Sequence, residues 1–449
     1  MAQHAEFQDQ LSEVIAQYGR GSLVETRHLL ASLRAPEVAN LLESTPPKVR
    51  WVLWGLLDDE EGTQVLSHLH EDVLHEFLDS MNTERLAAAA GELETDDFAD
   101  LLQQLPDTIS NQVLATLDAR DRARVESVLS YPEDSAGGLM NTDTITVRPR
   151  HSIEIVLRYL RLRKELPNTT DALIVVNSRD EYVGLLPVAK LLTTDPTVTV
   201  REVMDTEAEA IPVATSDTEV ARMFSDQDLV SAPVVDAQGK LLGRITIDDV
   251  VDVIIEDADE AVFARAGLDL DEDTFAPIIK SVRSRAVWLG INLLTAFVAA
   301  GVINIFEETI AKVVALAVLM PIVASMGGIA GTQTLTLVIR GIALGQLGRA
   351  NLLYLLNREF LVALLNGLLL AFIVAAVAAA AFGDPLLGAV IALAMVINLL
   401  VAAVSGSLLP SVLSRMNIDP AIAGGVVLTT ITDVTGFFAF LGLATWAYA

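Results

Sequence analysis

Five long apolar stretches after residue 285 restrict the fold of this chain more than any other feature of its sequence. They run over about 286–305, 313–339, 360–382, 386–410 and 421–446. At about 1.5 Å per residue, a helix of about 20 residues crosses the roughly 30 Å apolar core of a bilayer. A backbone exposed to lipid must satisfy its own hydrogen bonds, so each stretch is predicted to be a membrane-spanning helix. We therefore expect an all-α transmembrane domain over residues 285–449.

The last apolar stretch carries a single ionisable side chain, Asp433, near its middle. A carboxylate at that depth costs about 2.5–3.5 kcal/mol on insertion scales, so Asp433 should face protein or water rather than lipid. Small and hydroxyl-bearing residues surround it: Gly424, Gly425, Thr429, Thr430, Thr432, Thr435 and Gly436. An acidic, hydroxyl-rich helix face is typical of the wall of a cation path. A protonated Asp433 within a helix–helix contact is the alternative that the sequence leaves open.

The second apolar stretch contains Pro321 together with Gly327, Gly328 and Gly331. Proline removes a helical hydrogen bond, and glycine lets the backbone bend. In membrane proteins, broken helices occur where the freed carbonyl groups line a cavity. These residues leave two interpretations of this span open, a broken helix and an ordinary kinked helix.

The charge of the chain is divided unevenly along its length. The chain has 59 acidic and 30 basic residues, of which six acidic and five basic residues lie beyond residue 285. The part before that residue therefore holds 53 acidic and 25 basic residues, a net charge of −28. Such an excess of carboxylates repels nucleic acid and attracts cations. The absence of cysteine excludes disulfides and thiolate metal sites. The N-terminal sequence has neither the basic flank nor the apolar core of a signal peptide, so the acidic half is expected in the cytoplasm.

The bases that flank the apolar stretches predict the same orientation. Lys312 lies on one side of the predicted membrane, and seven bases lie on the side of the acidic half. These seven are Lys280, Arg283, Arg285, Arg340, Arg349, Arg358 and Arg415. By the positive-inside rule, the N-terminal domains are cytoplasmic and the C-terminus lies outside the cell (inner) membrane.

Residues 1–132 form an acidic, helical N domain by their pattern, and they contain a repeat. Apolar residues recur every twelve positions, each at the end of a short apolar run: Leu57, Leu69, Met81, Leu93, Leu105, Leu117 and Leu129. Polar residues that cap helices, such as Asn82 and Thr95, follow these runs. Two units make a helical hairpin, and stacked hairpins make a solenoid. A plain helical bundle remains the alternative.

Residues 133–258 change to alternating strands and helices in two similar halves, 133–199 and 200–258. Each half has the order strand, helix, two hairpin strands and helix. The layout, with the sequences APVVD at 232–236 and GKLLG at 239–243, resembles a tandem pair of CBS domains. That resemblance implies an α/β regulatory module of a kind that often binds adenosine nucleotides, so ATP is a candidate ligand.

The last helix of the second half is crowded with acids: Asp248, Asp249, Asp252, Glu256, Asp257, Asp259 and Glu260. No Lys or Arg occurs between residues 245 and 264, so like charges three and four residues apart destabilise this helix. A divalent ion between it and the acids Asp96, Asp97 and Asp100 of the N domain would relieve the repulsion. A solvated acidic face is the alternative. Residues 259–284 are predicted to form a connecting helix to the membrane domain.

Mg²⁺ gives up its water reluctantly, so proteins hold it with few carboxylates, carbonyl groups and retained waters. Asp433 among threonines fits that kind of site. One carboxylate and five spans are few for a pore, and two chains on a two-fold axis would supply two aspartates and ten spans. We therefore expect a homodimer with the path at its interface.

The complete order of domains resembles the MgtE family of magnesium channels. The residues that carry the resemblance are 133–140 (EDSAGGLM), Pro321, Gly327-Gly328, Asp419-Pro420 and 433–436 (DVTG). The resemblance implies that Asp433 is the pore carboxylate, and it places further Mg²⁺ positions at Asp419, Asp96, Asp100, Asp228, Asp249, Asp252 and Asp257. In that family, ions that bridge the cytosolic acids hold the connecting helix shut against the pore.

Residues 329–333 (IAGTQ) and Gly425 depart from the family pattern by lacking an asparagine, which leaves selectivity among Mg²⁺, Co²⁺, Mn²⁺ and Ca²⁺ open. A transporter of another divalent cation is therefore one alternative. A non-conducting membrane sensor with a CBS pair is a second, although a sensor needs no carboxylate at mid-depth. An enzyme is not expected, because the sequence contains neither a convergent Ser/His/Asp set nor a phosphate loop.

Overall fold

A computed structural model of the chain describes residues 23–78, 80–163, 166–268, 274–343, 346–347, 351–416 and 418–449. The predicted parts of the N domain before residue 23 and of the connecting helix at 269–273 lie outside the described residues. The chain divides into two compact units. The soluble unit comprises Met1–Asp259 with Asp271–Pro277, and the membrane unit comprises Glu260–Leu270 with Ile278–Ala449.

The described part of the N domain consists of nine short helices that confirm the twelve-residue repeat. These are α1 (Leu23–Leu30), α2 (Ala35–Glu43), α3 (Pro47–Trp54), α4 (Asp59–Leu66), α5 (Glu71–Leu78), α6 (Thr83–Ala89), α7 (Thr95–Gln103), α8 (Asp107–Thr116) and α9 (Ala119–Leu129). Successive helices begin twelve residues apart. Side chains before several helices cap them, as Asn82 does when its Oδ1 accepts from the Arg85 N–H at 2.8 Å.

Helix packing in this domain follows the predicted solenoid-like pattern. The pairs in contact include α2 with α4, α6 with α8 and α7 with α9, so a helix packs on the one two positions along. The repeated residues Leu69 and Leu105 are buried in the core, and the other five pack against it. The residue that recurs every twelve positions is therefore an apolar residue near the end of each helix that packs against neighbouring helices.

The predicted CBS pair contains two three-stranded sheets of the same topology. The first half has β1 (Thr146–Val147), α10 (Ile153–Arg163), β2 (Ala172–Val176), β3 (Tyr182–Pro187) and α11 (Val188–Thr193). The second has α12 (Val200–Val203), β4 (Ile211–Pro212), α13 (Asp217–Gln227), β5 (Ser231–Val235), β6 (Leu241–Thr246) and α14 (Ile247–Ala266). In each sheet the middle strand pairs parallel with the first strand and antiparallel with the third. A bulge interrupts the antiparallel pair at equivalent positions of both halves.

The predicted connecting helix over 259–284 differs from the described structure. The first part of this segment continues α14, which ends at Ala266, and the last part belongs to α15 (Ile278–Ile305). Gly267 has φ +67°, a left-handed conformation that ends a helix and that glycine adopts without strain. Pro277 stands before the first residue of α15. A single helix over the whole segment is therefore wrong for the residues that the structure describes.

The membrane unit confirms the five predicted spans. They are α15 (Ile278–Ile305), α17 (Ala315–Ala343), α18 (Leu352–Phe382), α19 (Pro385–Arg415) and α20 (Pro420–Ala447), with the short α16 (Glu307–Lys312) after the first. All five are long and apolar enough to cross a membrane. Helix α19 is the most enclosed of them and packs on α17, α18 and α20.

Of the two interpretations of the second span, the structure shows the ordinary helix, because α17 runs unbroken through Pro321 and its glycines. Pro321 lies in the second turn of the helix. Two of the glycines, Gly327 and Gly331, serve close packing instead: a Cβ at Gly331 would lie 2.9 Å from a methyl group of Leu428 on α20. Small residues allow membrane helices to approach in this way. The ordinary helix that the sequence left open is the one that forms.

Candidate functional site

An open groove of about 570 Å³ lies within the membrane unit between α17 and α20. Its lining consists of Ala324, Ser325, Gly328, Ile329, Thr332, Gln333, Thr429 and Asp433. Asp433 is half-buried near the middle of α20, and no hydrogen bond or ion pair engages its carboxylate among the described residues. The groove therefore presents one negative group at mid-depth, against small and hydroxyl-bearing neighbours.

The two threonines of the groove both donate their hydroxyl protons to their own helices. The Thr429 hydroxyl donates to the carbonyl of Gly425 at 2.8 Å, and the Thr332 hydroxyl donates to the carbonyl of Gly328 at 2.9 Å. With its proton used, each oxygen retains lone pairs that accept hydrogen bonds. Together with the Asp433 carboxylate, the groove thus offers acceptors, which is the chemistry that binds the outward-pointing protons of a hydrated cation.

The structure does not bring Asp419 to this groove. Asp419 is the N-cap residue of α20, and its Oδ1 accepts from the Ala421 N–H at 2.7 Å. Fourteen residues of helix separate it from Asp433, about 21 Å along the axis at about 1.5 Å per residue. Its capping role accounts for an acid at this position, and a role as a metal ligand stays a prediction.

A second acidic site lies within the soluble unit, where α7 of the N domain meets the start of α14. We call it the acidic cluster, and its members are Glu94, Asp96, Asp97, Asp100, Asp248, Asp249 and Asp252. Asp96 is only 5% exposed, and its Oδ1 has no hydrogen-bond partner among the described residues. The structure thus brings together the two acidic surfaces that the sequence paired.

Burial and mutual repulsion raise the pKa values of the carboxyl groups in the acidic cluster. Burial is the largest cause for Asp97, whose pKa rises to about 7, and the charges of Asp249 and Glu94 add to it. Burial and the charge of Glu133 raise the pKa of Asp100 to about 7. The pKa of Asp249 rises to about 6, and that of Asp96 rises well above its usual value. Among the described residues, no basic side chain compensates the charge of these carboxylates. They therefore bind protons more tightly than an isolated carboxylate does.

The geometry does not form a closed metal cage. Among the described residues, no three acidic or histidine side chains converge closely enough to be direct ligands of one ion. Mg²⁺ commonly keeps several of its waters, and a hydrated ion spans a wider gap than a bare one. The cluster therefore fits a water-mediated cation better than a dehydrated one.

Two of the predicted metal residues lie apart from the acidic cluster. Asp228 is exposed at the C-terminal end of α13, in a left-handed conformation with φ +55°. Asp257 lies late in α14, where burial and the charge of Asp217 raise its pKa. Neither residue shares the electrostatic environment of Asp96 and Asp249. Their metal roles stay predictions, with no support from this arrangement.

Sequence reasoning missed residues that position the cluster. Asn168 donates from its Nδ2 to Glu94 Oε1 at 3.0 Å, and Asn141 donates to the other oxygen of Glu94. Asp249 Oδ2 accepts from the Thr246 hydroxyl at 2.9 Å and from the Thr246 N–H at 3.2 Å. The Thr-x-x-Asp spacing at 246–249 is a local signal of the second contact. The hydrogen bond between Asn168 and Glu94 joins residues 74 apart, and no local sequence signal predicts it.

Family models match three parts of the chain. One described as a divalent cation transporter, MgtE, matches residues 320–443, and one described as the MgtE intracellular N domain matches residues 33–134. A CBS domain model matches residues 200–256, the second half of the pair. These matches cover the groove, helices α2 to α9 of the N domain and the first half of α14.

Relatives and a solved structure extend the similarity to nearly the whole chain. A magnesium transporter MgtE of Bacillus subtilis is 28% identical over 447 residues, 99% of each chain. A crystal structure of the cytosolic domain of the Mg²⁺ channel MgtE in complex with ATP shares 32% identity and covers 54% of this chain and 99% of its own, with a TM-score of 0.50. A magnesium transporter MgtE of Thermus thermophilus is 32% identical over 423 residues, 93% of this chain and 94% of its own. The chain therefore belongs to the MgtE family of magnesium transporters.

Proposed function

We propose that this chain forms a Mg²⁺ channel whose opening is controlled by intracellular Mg²⁺ bound at the acidic cluster. The observation that carries the proposal is the position of Asp433, an unpaired carboxylate in the wall of an open groove at mid-depth of the membrane unit. Such a group is costly in lipid and is stabilised by a cation that passes it. The acceptor oxygens of Thr332 and Thr429 add binding for a hydrated ion without requiring it to lose its waters.

Control by the acidic cluster follows from its charge. Without a cation, ionisation of Asp96, Asp97 and Asp249 makes these groups repel one another, and this repulsion works against contact between α7 and α14. A hydrated Mg²⁺ between the helices removes the repulsion and stabilises the closed arrangement. When intracellular Mg²⁺ falls, the ion leaves, the contact loosens and the channel opens. The signal passes to the membrane unit through the segment that joins the two units.

The assembly we propose is a homodimer in the cell (inner) membrane, with the N-terminal domains in the cytoplasm and the C-terminus outside. The positive-inside distribution of bases supports this orientation. A two-fold axis beside the groove would place two Asp433 carboxylates along one path. Crosslinking of single-cysteine variants is a direct check, since the natural chain has no cysteine to interfere.

The proposal is tested by Mg²⁺ flux into proteoliposomes that contain the purified full chain. Asp433→Ala and the isosteric Asp433→Asn should both abolish flux, because each removes the negative charge. Glu308→Gln is the matched control, since Glu308 is an exposed acid on α16 outside the groove, and it should leave flux unchanged. Undiminished flux in Asp433→Asn would refute the path, and it would favour a membrane sensor that does not conduct.

The same assay decides the ion. Because hydrated Mg²⁺ is held by acceptors without dehydration, Mg²⁺ flux should exceed that of Co²⁺, Mn²⁺ and Ca²⁺ supplied at equal concentration. A larger flux of Co²⁺ or Mn²⁺ would assign the chain to another divalent cation.

We extend the proposal to ATP as a ligand of the CBS pair, because the solved cytosolic domain that resembles this chain is a complex with ATP. Calorimetry with the full chain should show saturable binding of ATP. No heat of binding at millimolar ATP would remove the nucleotide from the account.

A further inference from the structure

A buried asparagine on α19, Asn398, lies where three membrane helices meet. It is 1% exposed, although it stands near the middle of a helix of 31 residues. Its Nδ2 donates to the carbonyl oxygen of Val323 on α17 at 2.8 Å. Its Oδ1 has no hydrogen-bond partner among the described residues. Burying an amide with an unpaired oxygen in an apolar interior costs free energy. This cost indicates a role that an apolar residue could not fill.

The amide of Asn398 occupies two notches made by glycine. A Cβ at Gly327 on α17 would lie 2.2 Å from its Nδ2, and a Cβ at Gly436 on α20 would lie 2.7 Å from the same atom. No side chain fits at either position while the amide is there. Asn398 therefore packs directly against the backbones of α17 and α20, and it is bonded to the first of them.

These two notches lie next to the groove lining. Gly327 precedes Gly328, which lines the groove, and Gly436 follows Asp433 by three residues, about one helical turn. The two helices that form the groove thus both contact the Asn398 side chain of α19. We propose that Asn398 is a positioning residue that sets the separation of α17 and α20, and through it the width of the groove and its discrimination between ions. This inference rests on the proposed function.

The test is the ratio of Ca²⁺ to Mg²⁺ flux in proteoliposomes, since the amount of folded protein cannot change this ratio. Asn398→Ala leaves a void against both glycines and removes the bond to Val323. A displacement of about 1 Å at a site of this kind is expected to lower Mg²⁺ flux about tenfold and to raise the flux ratio about threefold or more. Asn366→Ala is the matched control, an exposed asparagine on α18, and it should change neither quantity.

A size exchange separates positioning from a general packing defect. Gly436→Ala alone should disturb the groove, because its methyl group meets the amide. In the double variant Asn398→Ala with Gly436→Ala, the new methyl group enters the volume that the amide has left. Its flux ratio should return towards the natural value, so the two changes are non-additive.

An unchanged flux ratio in Asn398→Ala, or strictly additive effects in the double variant, would overturn this inference. A loss of yield with an unchanged ratio would overturn it equally, because it would mark Asn398 as structural only. The proposed function fails by a different result, undiminished Mg²⁺ flux in Asp433→Asn. The two failures are therefore distinguishable.

Discussion

The groove of the membrane unit and the acidic cluster of the soluble unit use carboxylates in opposite ways. In the groove a single acid, Asp433, stands among hydroxyl oxygens and apolar side chains. In the cluster several acids crowd against one another, and burial with repulsion raises the pKa values of Asp97 and Asp100 to about 7. In the proposed function, the single negative group attracts a passing ion without retaining it, and the crowded acids repel one another until an ion binds.

In the proposed function, this difference separates conduction from control. A pore must bind its ion weakly enough to release it, and a single carboxylate with retained waters meets that need. A sensor must change its state when the ion arrives, which requires a bound form and an unbound form of different energy. The crowding around Asp96 and Asp249 provides that difference.

The largest effect expected from this comparison is the loss of closure when the cluster is neutralised. Asp249→Ala combined with Asp252→Ala weakens ion binding, while Asp248 and the acids of α7 remain and still repel one another. With no bound ion to offset that repulsion, the channel should conduct at millimolar internal Mg²⁺, where we expect the natural chain to be closed. Patch recordings measure this directly. The pair Glu207→Ala with Glu209→Ala is the matched control, since both are exposed acids of the soluble unit outside the cluster, and closure should be preserved. Normal closure in the first variant would refute the sensor.

A smaller effect is expected from pH, through the carboxyl groups of the cluster. Protons compete with cations for carboxylates whose pKa is about 6 to 7, as for Asp249, Asp97 and Asp100. Between pH 8 and pH 6, the affinity of the cluster for Mg²⁺ should therefore fall by about tenfold. Protection of the soluble unit from protease by Mg²⁺, measured on the full chain, should weaken in parallel.

The same pKa shifts determine whether the stability of the Mg²⁺-free protein rises or falls with pH. A carboxyl group whose folded pKa is raised from 3.8 to about 7 binds its proton more tightly when folded. Its contribution to the free energy of unfolding is present below pH 4 and is lost as the pH rises to about 7. Ion-free protein should thus unfold more readily at pH 8 than at pH 5. If the unfolding midpoint of the Mg²⁺-free protein did not change with pH, that result would contradict the mutual repulsion of the carboxyl groups in the acidic cluster.

The smallest effect is expected in the groove wall. Thr429→Val keeps the shape of the side chain but removes its acceptor oxygen, so Mg²⁺ flux should fall a few-fold, by the loss of about 1 kcal/mol from one hydrogen bond. Thr430→Val is the control, because Thr430 lies outside the groove lining and its hydroxyl bonds the Val426 carbonyl of its own helix. Equal losses in both variants would show that flux follows helix stability rather than the groove oxygens.

Local patterns in the sequence were sufficient to predict the repeat, the five spans and the isolated acid of the last span. Each depends on periodicity or length within one element. The groove lining around Asp433 was predicted only in part, because Thr332 and Gln333 approach it from another helix. Of the α17 glycines that suggested a break, Gly327 packs against Asn398 of α19 and Gly331 packs against Leu428 of α20.

Contacts between distant residues could not be predicted in the same way. The Glu94–Asn168 bond that supports the cluster joins residues 74 apart, and the notches around Asn398 involve three different helices. The roles of Asp228 and Asp257 illustrate the converse. They share the acidity of the cluster residues in sequence, but the fold places them on other surfaces.

The most direct test of the account combines its two sites in one chain. In Asp249→Ala with Asp252→Ala the channel should stay open, and Mg²⁺ flux into proteoliposomes should be high at every internal Mg²⁺ concentration. Adding Asp433→Asn to that background should abolish the flux, because the open gate then leads to a groove without its charge. Mg²⁺ flux that persists in the triple variant would contradict the claim that the ion passes Asp433.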